Sequence, residues 1–592
     1  MLFETVSSYY GKLEGISSRL EMIDVLTQMF HEVKASEVRK LIYMTQGVLA
    51  PPFEGVEIGI AEKLVSESIA RASGYEKEQV YATYKKTGDM GLAAEQTIAK
   101  TKLRRMSSRK FSLIEVFDML HKIATTSGPG SQDGKIRMMS ELLAASSPVE
   151  ARYITRFAMG TLRLGLGDAT ILEALSKTST GERKMKSYLE NAYNLCSDLG
   201  EVGEALFEGG IGAIEHFKVT LFKPIRPALA ERLPTAEEIL EKMRGRCSVE
   251  SKYDGFRVQV HVDKKSKRVE IFSRRLEKVT HMFPEIVKAA LEELDFKSAI
   301  FDGEAIAYND VTGEYYQFQE TIQRKRKHGI EEKSAQLPLH VFAFDLMYSD
   351  GEDYMTKPYK ERRRKLEDIV AKNGIVRLSD EIIATRPREL EKYFENAVSN
   401  GLEGIVAKDM ESFYVAGARK FSWIKMKRSY KGELSDTVDL VIIGYYLGRG
   451  QRAEFKFGGL LCASYNDKTD MFESVTRIGT GFSEKQMVEL QKLLDKAKTK
   501  TKPARVASIV VPDFWVDPKY VVETRADEIT RSPMHLCGME KLDDGSEAGY
   551  ALRFPRLISD GVRTDKSAEE ATTTKEIIEM FGMQKKIRVA DA

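Results

Sequence analysis

Apolar side chains recur at three- and four-residue spacing through residues 1–215, between short breaks rich in glycine, proline and serine. Such spacing predicts amphipathic helices, because an α-helix completes a turn in about 3.6 residues and these positions then share one face. The clearest runs predict helices over 17–34, 59–72, 112–125 and 135–145. We therefore expect residues 1–215 to form an all-α domain.

The pattern changes after Lys223-Pro224-Ile225-Arg226-Pro227, whose two prolines disfavour helix and predict an extended connector. Short alternating runs then predict strands, with helical segments between them. The strands are expected over 256–262, 269–273, 299–308 and 339–347, and the helices over 284–294 and 359–372. Residues 216–430 therefore read as an α/β domain.

A second strand-rich pattern begins at Asp439. Four runs predict strands, namely VIIGYYLG, GGLLCASY, ESVTRIGTGF and RVASIVVP (441–448, 458–465, 473–482 and 505–512). Ser483 and Gln486 form a capping box that opens a helix, and 569–586 reads as a terminal helix. Short strands with glycine-rich turns and one helix are typical of a small barrel, so we expect a C-terminal β-barrel OB-fold over 431–592.

The composition agrees with a multidomain protein. With roughly 150 residues per domain, a chain of 592 residues suggests about three or four domains. A hydrophobic fraction of 42% excludes wholesale disorder. The net charge of +2 says nothing against nucleic acid, because local clustering of charge decides that interaction.

The expected cellular location rests on sequence patterns that are missing, namely membrane helices, a secretory signal and paired cysteines. No run approaches the roughly 18 apolar residues of a membrane helix, so we expect a soluble protein with no membrane partner. The N-terminus does not resemble a secretory signal. The four cysteines are far apart and include no CxxC pair, which argues against a zinc finger or a disulfide framework. A cytoplasmic location is the expectation.

Candidate chemistry starts at Lys252, within Glu250-Ser251-Lys252-Tyr253-Asp254-Gly255-Phe256-Arg257. The lysine lies at the start of a predicted hairpin, beside a carboxylate and a glycine that allows close backbone approach. A KxDG tetrapeptide alone is a weak signal, and a solvated turn lysine is the more common explanation of such a match.

An ordered series of motifs downstream of Lys252 favours a catalytic lysine over a solvated turn lysine. Two predicted strands contain a carboxylate among apolar residues, and Lys425 and Lys427 share a face of a third strand because side chains alternate. The series is Ser273-Arg274-Arg275, Phe301-Asp302-Gly303-Glu304, Phe344-Asp345-Leu346-Met347-Tyr348, Glu403-Gly404-Ile405-Val406-Ala407-Lys408, Trp423-Ile424-Lys425-Met426-Lys427 and Arg563-Thr564-Asp565-Lys566.

Taken together, the series resembles the collinear motifs of the covalent nucleotidyltransferases, and specifically of the ATP-dependent DNA ligases. The resemblance covers nearly the whole chain. The loop Thr161-Leu162-Arg163-Leu164-Gly165-Leu166-Gly167-Asp168-Ala169 is similar to the DNA-facing loop of archaeal and eukaryotic replicative ligases. The implied activity is the sealing of nicks in duplex DNA with ATP, through lysyl-AMP and adenylated DNA, in replication, repair and recombination.

Lys252 is the expected nucleophile. A lysine amine must be neutral to attack phosphorus, and nearby cations favour the neutral form. Lys425, Lys427 and a divalent metal are candidates for that role. Mg²⁺, or Mn²⁺ as the alternative, takes few protein carboxylates beside substrate phosphates, and Glu304 and Glu403 are the candidates.

The resemblance implies the remaining roles at the nucleotide. The residues and their expected partners are Glu250 with the adenine amino group, Phe344 stacked on the base, Arg257 and Arg274 with the ribose or nick phosphate, Lys425 and Lys427 with the α-phosphate, and Arg563 and Lys566 with the pyrophosphate leaving group. Plain packing is the alternative for Phe344, and a structural ion pair is the alternative for Glu304.

Two segments of the helical domain are candidates for contacts with nicked duplex DNA. One is a basic run without acids that includes Lys100, Lys102, Arg104 and Arg105, and a solvated face is its alternative. The other is the loop containing Arg163, Gly165 and Gly167, where the glycines would let backbone amides approach the minor groove or would simply break a helix.

Partners and rival functions complete the expectation. Many relatives bind a sliding clamp through a glutamine-to-paired-aromatic peptide, but this sequence contains no Phe-Phe pair. A monomer is expected. An RNA ligase, a capping-type nucleotidyltransferase and a non-catalytic protein on a ligase scaffold are the alternatives. The large helical domain and the LRLGLGDA loop argue against the first two, and the presence of every chemically required residue argues against the third.

Overall fold

The computed structural model describes residues 1–101, 109–309, 314–315, 337–371, 374–400, 402–427, 437–448, 455–526, 528–542, 545–559 and 561–590. The chain divides into two compact units, one made of Met1–Tyr84 and Met90–Met426 and the other of Lys85–Asp89 and Lys427–Ala592. Within the described residues, every helix is too short or too polar to cross a membrane. The three-domain boundaries at 215 and 430 stay a prediction.

The N-terminal region is helical, as its apolar spacing predicts. Ser112 and Ser147 open two of its helices, each accepting from the backbone N–H of a glutamate three residues on. The helices are α1 (Phe3–Glu14), α2 (Arg19–Glu32), α3 (Ala35–Gln46), α4 (Glu62–Ser73), α5 (Lys77–Thr87), α6 (Met90–Ala99), α7 (Leu113–Thr125), α8 (Ser131–Ala145), α9 (Pro148–Ala158), α10 (Asp168–Thr180), α11 (Lys186–Cys196) and α12 (Leu199–Ile214). Their apolar faces meet in one core.

The region that follows alternates strands and helices. Its elements are β1 (Leu229–Arg232), α13 (Ala236–Lys242), β2 (Cys247–Lys252), β3 (Phe256–Asp263), β4 (Arg268–Ser273), α14 (Pro284–Glu292), β5 (Ser298–Asn309), β6 (Glu314–Tyr315), β7 (Leu339–Ser349), β8 (Glu352–Asp353), α15 (Tyr359–Ile369), β9 (Val376–Leu378), β10 (Glu381–Ala384), α16 (Pro387–Ser399), β11 (Gly404–Lys408) and β12 (Arg419–Lys427). The proline-containing connector before β1 docks on Gln259, whose side chain bonds both the N–H and the C=O of Ile225.

Two sheets organise this α/β region. One has five strands in the order β1-β12-β11-β2-β10, and the other has seven, in the order β4-β3-β5-β7-β8 with β6 paired to β5 and β9 to β7. Separate apolar cores cover their faces. The described chain therefore has a helical N-terminal region and a central domain built on two sheets.

The second unit is rich in strands. Its elements are β13 (Val438–Tyr446), β14 (Gly459–Asn466), β15 (Met471–Ile478), α17 (Glu484–Lys496), β16 (Lys498–Thr499), β17 (Val506–Ala507), β18 (Phe514–Val516), β19 (Val521–Arg525), β20 (Glu528–Ser532), β21 (Glu540–Lys541), β22 (Glu547–Arg553), β23 (Arg556–Leu557) and α18 (Thr574–Ala590). Eight strands form one sheet and β20-β22-β21 form another. The capping box predicted at Ser483 and Gln486 is present at the start of α17.

Two sequence predictions in this unit are wrong in their extent. The apolar run 505–512 was expected as a strand, but only Val506–Ala507 pairs, and Ile509 and Val511 are 55% and 70% exposed. The Ser508 hydroxyl donates to the carbonyl of Val510, so a local turn replaces the ladder. The terminal helix begins at Thr574 and not at 569, because Thr573 and Glu576 cap it there.

Candidate active site

The two faces of the five-stranded sheet differ in chemistry. Ile405, Ala407, Ile424 and Met426 face an apolar core. The side chains that alternate with them on β2, β11 and β12 are mostly charged or aromatic. Strand alternation thus gathers Glu250, Lys252, Lys408, Trp423, Lys425 and Lys427 on the other face.

Lys252 lies at the end of β2, opposite Gly404 at the start of β11. Its Nζ atom is 2.6 Å from Oε2 of Glu403, and both side chains are partly exposed. The backbone N–H of Glu403 also donates to the carbonyl of Lys252 at 3.0 Å. The expected nucleophile is therefore in direct contact with one of the two predicted metal ligands.

Glu304 on β5 is the other predicted metal ligand, and its environment also involves Lys252. Burial raises the pKa of Glu304 to about 7, and Asp254 adds to the rise, while the charges of Lys252 and Arg257 act in the opposite direction. The backbone N–H of Gly255 donates to this carboxylate. The carboxylates of Glu304 and Glu403 thus both interact electrostatically with one lysine.

Gly255 in the KYDG motif is required by close packing. A Cβ atom at this position would lie 2.4 Å from the carbonyl oxygen of Ala305 on β5. Real Cβ atoms do not approach a backbone oxygen so closely, so a side chain here would push β5 away. The glycine therefore brings the strand that carries Glu304 against the Lys252 segment.

Aromatic rings from the two sheets meet beside these groups. The rings of Phe344 on β7 and Trp423 on β12 pack edge to face with centroids 5.9 Å apart. Phe344 is partly exposed although most of β7 is buried. The guanidinium of Arg257 lies 5.4 Å from the Phe344 centroid and donates to Asp302 at 2.7 Å. A partly exposed ring at this position is compatible with a stacked base as well as with packing in the apolar cluster beside it.

Glu250 is buried within an ionic network. Lys408 Nζ lies 2.7 Å from its Oε2, and Tyr359 donates to its Oε1 at 2.5 Å. Arg363 lies 3.4 Å from the same Oε1 atom. Burial raises the pKa of Glu250, and the charges of Lys408 and Arg363 oppose that rise.

Lys425 and Lys427 alternate with the buried Ile424 and Met426, so they share the face of Trp423. The N–H of Asp409 donates to the carbonyl of Ser422, which places the start of β12 beside the end of β11. The end of β12 then runs toward the start of β11, where Gly404 pairs with Lys252. By this register, both lysines occupy β12 positions near the Lys252 end of the sheet.

Other predicted site residues lie elsewhere. Arg274 follows β4 and lines a groove of about 420 Å³ together with Arg226 and Tyr193. In the second unit, Arg563 and Lys566 both bind Asp439, at 3.2 and 2.5 Å. The roles of Arg274 at the ribose or nick phosphate, and of Arg563 and Lys566 at the pyrophosphate leaving group, stay predictions.

The predicted DNA-facing residues are partly described. Arg163 has φ +60 and Gly165 has φ +67, so the loop before α10 turns through left-handed backbone. Asp168 at its end is held by Gln46 and Tyr193, at 2.9 and 2.8 Å. Gly167 caps α10, and Lys100 is exposed. Lys102, Arg104 and Arg105 lie outside the described residues.

Sequence analysis missed Tyr359 and Arg363, which bind Glu250 from α15. Their spacing of four residues puts them on one face of the helix. That spacing was visible in the sequence, but nothing local indicated which carboxylate they would meet.

A metal fits this site. Glu304 and Glu403 would offer hard carboxylate oxygens near the lysine, and Mg²⁺ normally takes one or two carboxylates with waters and substrate phosphates. The part of the chain that the structure describes contains no group of three or more His, Cys, Asp or Glu side chains placed to hold a metal ion.

A lysine that interacts with two carboxylates, on a sheet face that also carries an aromatic ring and two further lysines, is suited to nucleophilic attack on a nucleotide phosphate. Family models match three parts of the chain: "DNA ligase N terminus" residues 2–176, "ATP dependent DNA ligase domain" residues 227–427, and "ATP dependent DNA ligase C terminal region" residues 453–566. The chain belongs to the ATP-dependent DNA ligase family.

Full-length relatives agree with this assignment. A "Probable DNA ligase" of Dictyoglomus turgidum is 45% identical over 100% of this chain and 99% of its own length. A "DNA ligase" of Sulfolobus acidocaldarius is 42% identical over 100% of this chain and 99% of its own. A solved structure described as "Pmar-Lig_Pre." has a TM-score of 0.57 at 18% identity, covering 95% of this chain and 99% of that one, and supports the fold alone.

Proposed function

We propose that this chain seals nicks between a 5′-phosphate and a 3′-hydroxyl in duplex DNA, with ATP as cofactor. Lys252 forms lysyl-AMP, the AMP passes to the 5′-phosphate, and the 3′-hydroxyl displaces AMP. The observation that carries the proposal is the position of Lys252, 2.6 Å from Glu403 and beside Glu304. Pyrophosphate leaves in the first step and AMP in the last.

In the first step the neutral Nζ of Lys252 attacks the α-phosphorus of ATP. A bond forms between nitrogen and phosphorus, and the bond to the bridging oxygen of pyrophosphate breaks. The Glu403 carboxylate is in contact with the amine and is suited to receive its proton. Lys425 and Lys427 would stabilise the charge that develops on the α-phosphate oxygens.

Glu304 and Glu403 would hold Mg²⁺, with Mn²⁺ as the alternative ion. When bound, the ion would neutralise phosphate charge and orient the triphosphate. The chain's own contribution is to keep two carboxylates next to the amine. Replacing either by glutamine should raise the Mg²⁺ concentration needed for adenylation.

Phe344 is proposed to stack on adenine and Glu250 to accept from its amino group. Arg257 lies beside Phe344 and is suited to the ribose or a phosphate. Arg274 is proposed for the nick phosphate, and it lines a groove between the helical region and the central domain. Each of these side chains would hold substrate in place for in-line displacement.

For DNA, we propose that the helical region embraces the nicked duplex. The loop with Arg163, Gly165 and Gly167 would meet the minor groove, and Lys100, Lys102, Arg104 and Arg105 would neutralise phosphates. Base-specific contacts are not needed, because nicks occur in any sequence.

The second unit is proposed to be an OB-fold barrel. Its Arg563 and Lys566 would orient the pyrophosphate leaving group during the first step. The chain would act as a monomer in the cytoplasm, on nicks from replication, repair and recombination. Short strands in one eight-stranded sheet support the barrel interpretation.

A nick-sealing assay with ATP, ADP, GTP and NAD in parallel tests the function. We expect sealed product and labelled protein with ATP and Mg²⁺. Labelled protein that never seals a nick would refute the ligase activity while leaving the lysyl-AMP step intact. Absence of label with every nucleotide would refute the mechanism.

A further inference from the structure

Three separate side chains hold the carboxylate of Glu250. Lys408 comes from β11 and contacts Oε2, whereas Tyr359 and Arg363 come from α15 and contact Oε1. Because the last two are one helical turn apart, they act from a single face of α15. The orientation of Glu250 is therefore set from α15 as well as from its own sheet.

Helix α15 is itself fixed to the strand that carries Phe344. Arg362 forms a two-pronged ion pair with Asp345, the next residue after Phe344, at 2.7 and 3.0 Å. Both side chains of this pair are fully buried. Lys408 in turn donates to the carbonyl of Phe344 at 2.6 Å. The carboxylate of Glu250 and the ring of Phe344 are thus positioned by one connected group of residues.

Apart from the half-exposed Glu367, which also pairs with Arg363 at 3.0 Å, the network is balanced in charge. Glu381 joins Glu250 on the acidic side, and it lies 3.2 Å from Arg363. Lys408 and Arg363 supply two positive charges. Paired and hydrogen-bonded charges of this kind tolerate burial, so Glu250 can remain a carboxylate. Tyr359 donates to Glu250 because burial and the two acids keep its pKa well above the usual value.

Counting acceptor positions shows what is left for a substrate. A carboxylate offers about four lone-pair positions. Tyr359 and Arg363 occupy Oε1, and Lys408 occupies one position on Oε2. Among the described residues this leaves one acceptor position on Oε2, the oxygen that Lys408 holds, and the Lys408 Nζ atom lies 5.0 Å from the centre of the Phe344 ring.

We propose that Tyr359 and Arg363 are positioning residues for base selection, which together with Lys408 hold Glu250 so that its remaining acceptor faces a purine stacked on Phe344. A fixed acceptor favours the 6-amino group of adenine and rejects the 6-oxo group of guanine, because the oxo group is itself an acceptor. This inference rests on the proposed function, in which Glu250 reads the base.

Loss of the Tyr359 hydroxyl would weaken that selection. The terminal torsion of a glutamate is soft, so a carboxylate with fewer donors can turn away. Burial also raises the pKa of Glu250, and a protonated group could donate to guanine. Either change would bring the kcat/KM values for ATP and GTP closer together.

The test measures self-adenylation of the full chain with ATP and with GTP, in Mg²⁺, as the ratio of kcat/KM values. Tyr359→Phe should lower the ATP-to-GTP ratio roughly tenfold, the effect of one hydrogen bond to a charged group. The change should appear in KM, because Lys252 is untouched. Glu250→Gln should lower the ratio further, and the double variant should equal Glu250→Gln alone.

Tyr153→Phe is the matched control, because it removes a partly buried hydroxyl that donates to Glu14 in the helical region. Its ratio should match that of the parent protein. Arg363→Lys serves as the second variant if Tyr359→Phe does not fold, and it should lower the ratio in the same direction.

The outcomes separate two failures. If the parent protein takes no label from ATP, the proposed function fails. If the parent prefers ATP and Glu250→Gln loses that preference, but Tyr359→Phe and Arg363→Lys keep it, the positioning role is overturned. A ratio unchanged by Glu250→Gln overturns both the role of Glu250 and this inference.

Discussion

Two carboxylate–lysine pairs lie on the same face of one sheet, and they differ in exposure. The side chains of Lys252 and Glu403 are 23% and 27% exposed, whereas those of Lys408 and Glu250 are 1% and 3% exposed. An accessible pair can exchange its partner for a substrate or an ion at small cost. A buried pair cannot, because either charge left alone would lack solvation. Exposure therefore separates the pair that we propose to react from the pair that we propose to position the base.

The largest effect is expected from Lys252→Arg. Arginine keeps the positive charge opposite Glu403 but cannot act as the nucleophile. Self-adenylation should fall by about 10⁴-fold or more, the scale seen when a nucleophile is removed. The measurement is transfer of labelled AMP to protein.

The control is Lys177→Arg, which alters a lysine paired with Asp24 in the helical region. It should be labelled like the parent protein. If Lys252→Arg retained the label, the nucleophile would be another residue. The accessible Lys252–Glu403 pair would then not be the reactive one.

Lys408→Met should destabilise the protein by about 3–5 kcal/mol, because it leaves Glu250 buried without its closest cation. Urea unfolding followed by fluorescence measures this. Adding Glu250→Gln to Lys408→Met should recover part of the loss, since no unpaired charge then remains. A loss below about 1 kcal/mol would mean that the buried pair behaves like an exposed one.

Gly255→Ala tests the close approach that brings Glu304 to the site. The added Cβ would meet the Ala305 carbonyl, and overpacking of this kind costs about 1–3 kcal/mol. Adenylation should fall as β5 shifts. Gly212→Ala is the control, because its Cβ meets nothing within 4 Å and the position is helical. Equal stability of the two variants would contradict the packing argument.

The smallest effect is expected for the stability of Glu403→Gln. An accessible ion pair contributes about 1 kcal/mol or less, so its loss should barely move the thermal midpoint. The same substitution at buried Glu250 should lower that midpoint clearly. Similar shifts in the two variants would show that exposure does not distinguish the pairs.

Much of the fold was predictable from local pattern. Apolar spacing indicated the helices of the N-terminal region, and strand alternation indicated β3, β4, β5 and β7. Errors occurred where a local turn or cap overrode the pattern. At 505–512 apolar residues predicted a strand, yet a side-chain hydrogen bond at Ser508 favours a turn.

In the candidate site, the motif residues were predictable from the sequence, but the residues that hold them in place were not. Lys252, Glu403 and Glu304 were predicted as site residues from their motifs, and the fold brings them together, while their roles stay predictions. Tyr359 was not identified, because it is 109 residues from Glu250 along the chain. Helical spacing shows that two residues share a face, but it does not indicate what that face will contact.

The sequence by itself determined the kinds of elements, the order of the motifs and the family, because these depend on residue types at short range and in series. Only the tertiary structure decided which charges lie near solvent and which are enclosed, and which helix holds Glu250. The burial of a side chain and the identity of its ion-pair partner depend on packing between segments that are far apart in the chain. Local periodicity contains no information about which distant segments will pack together.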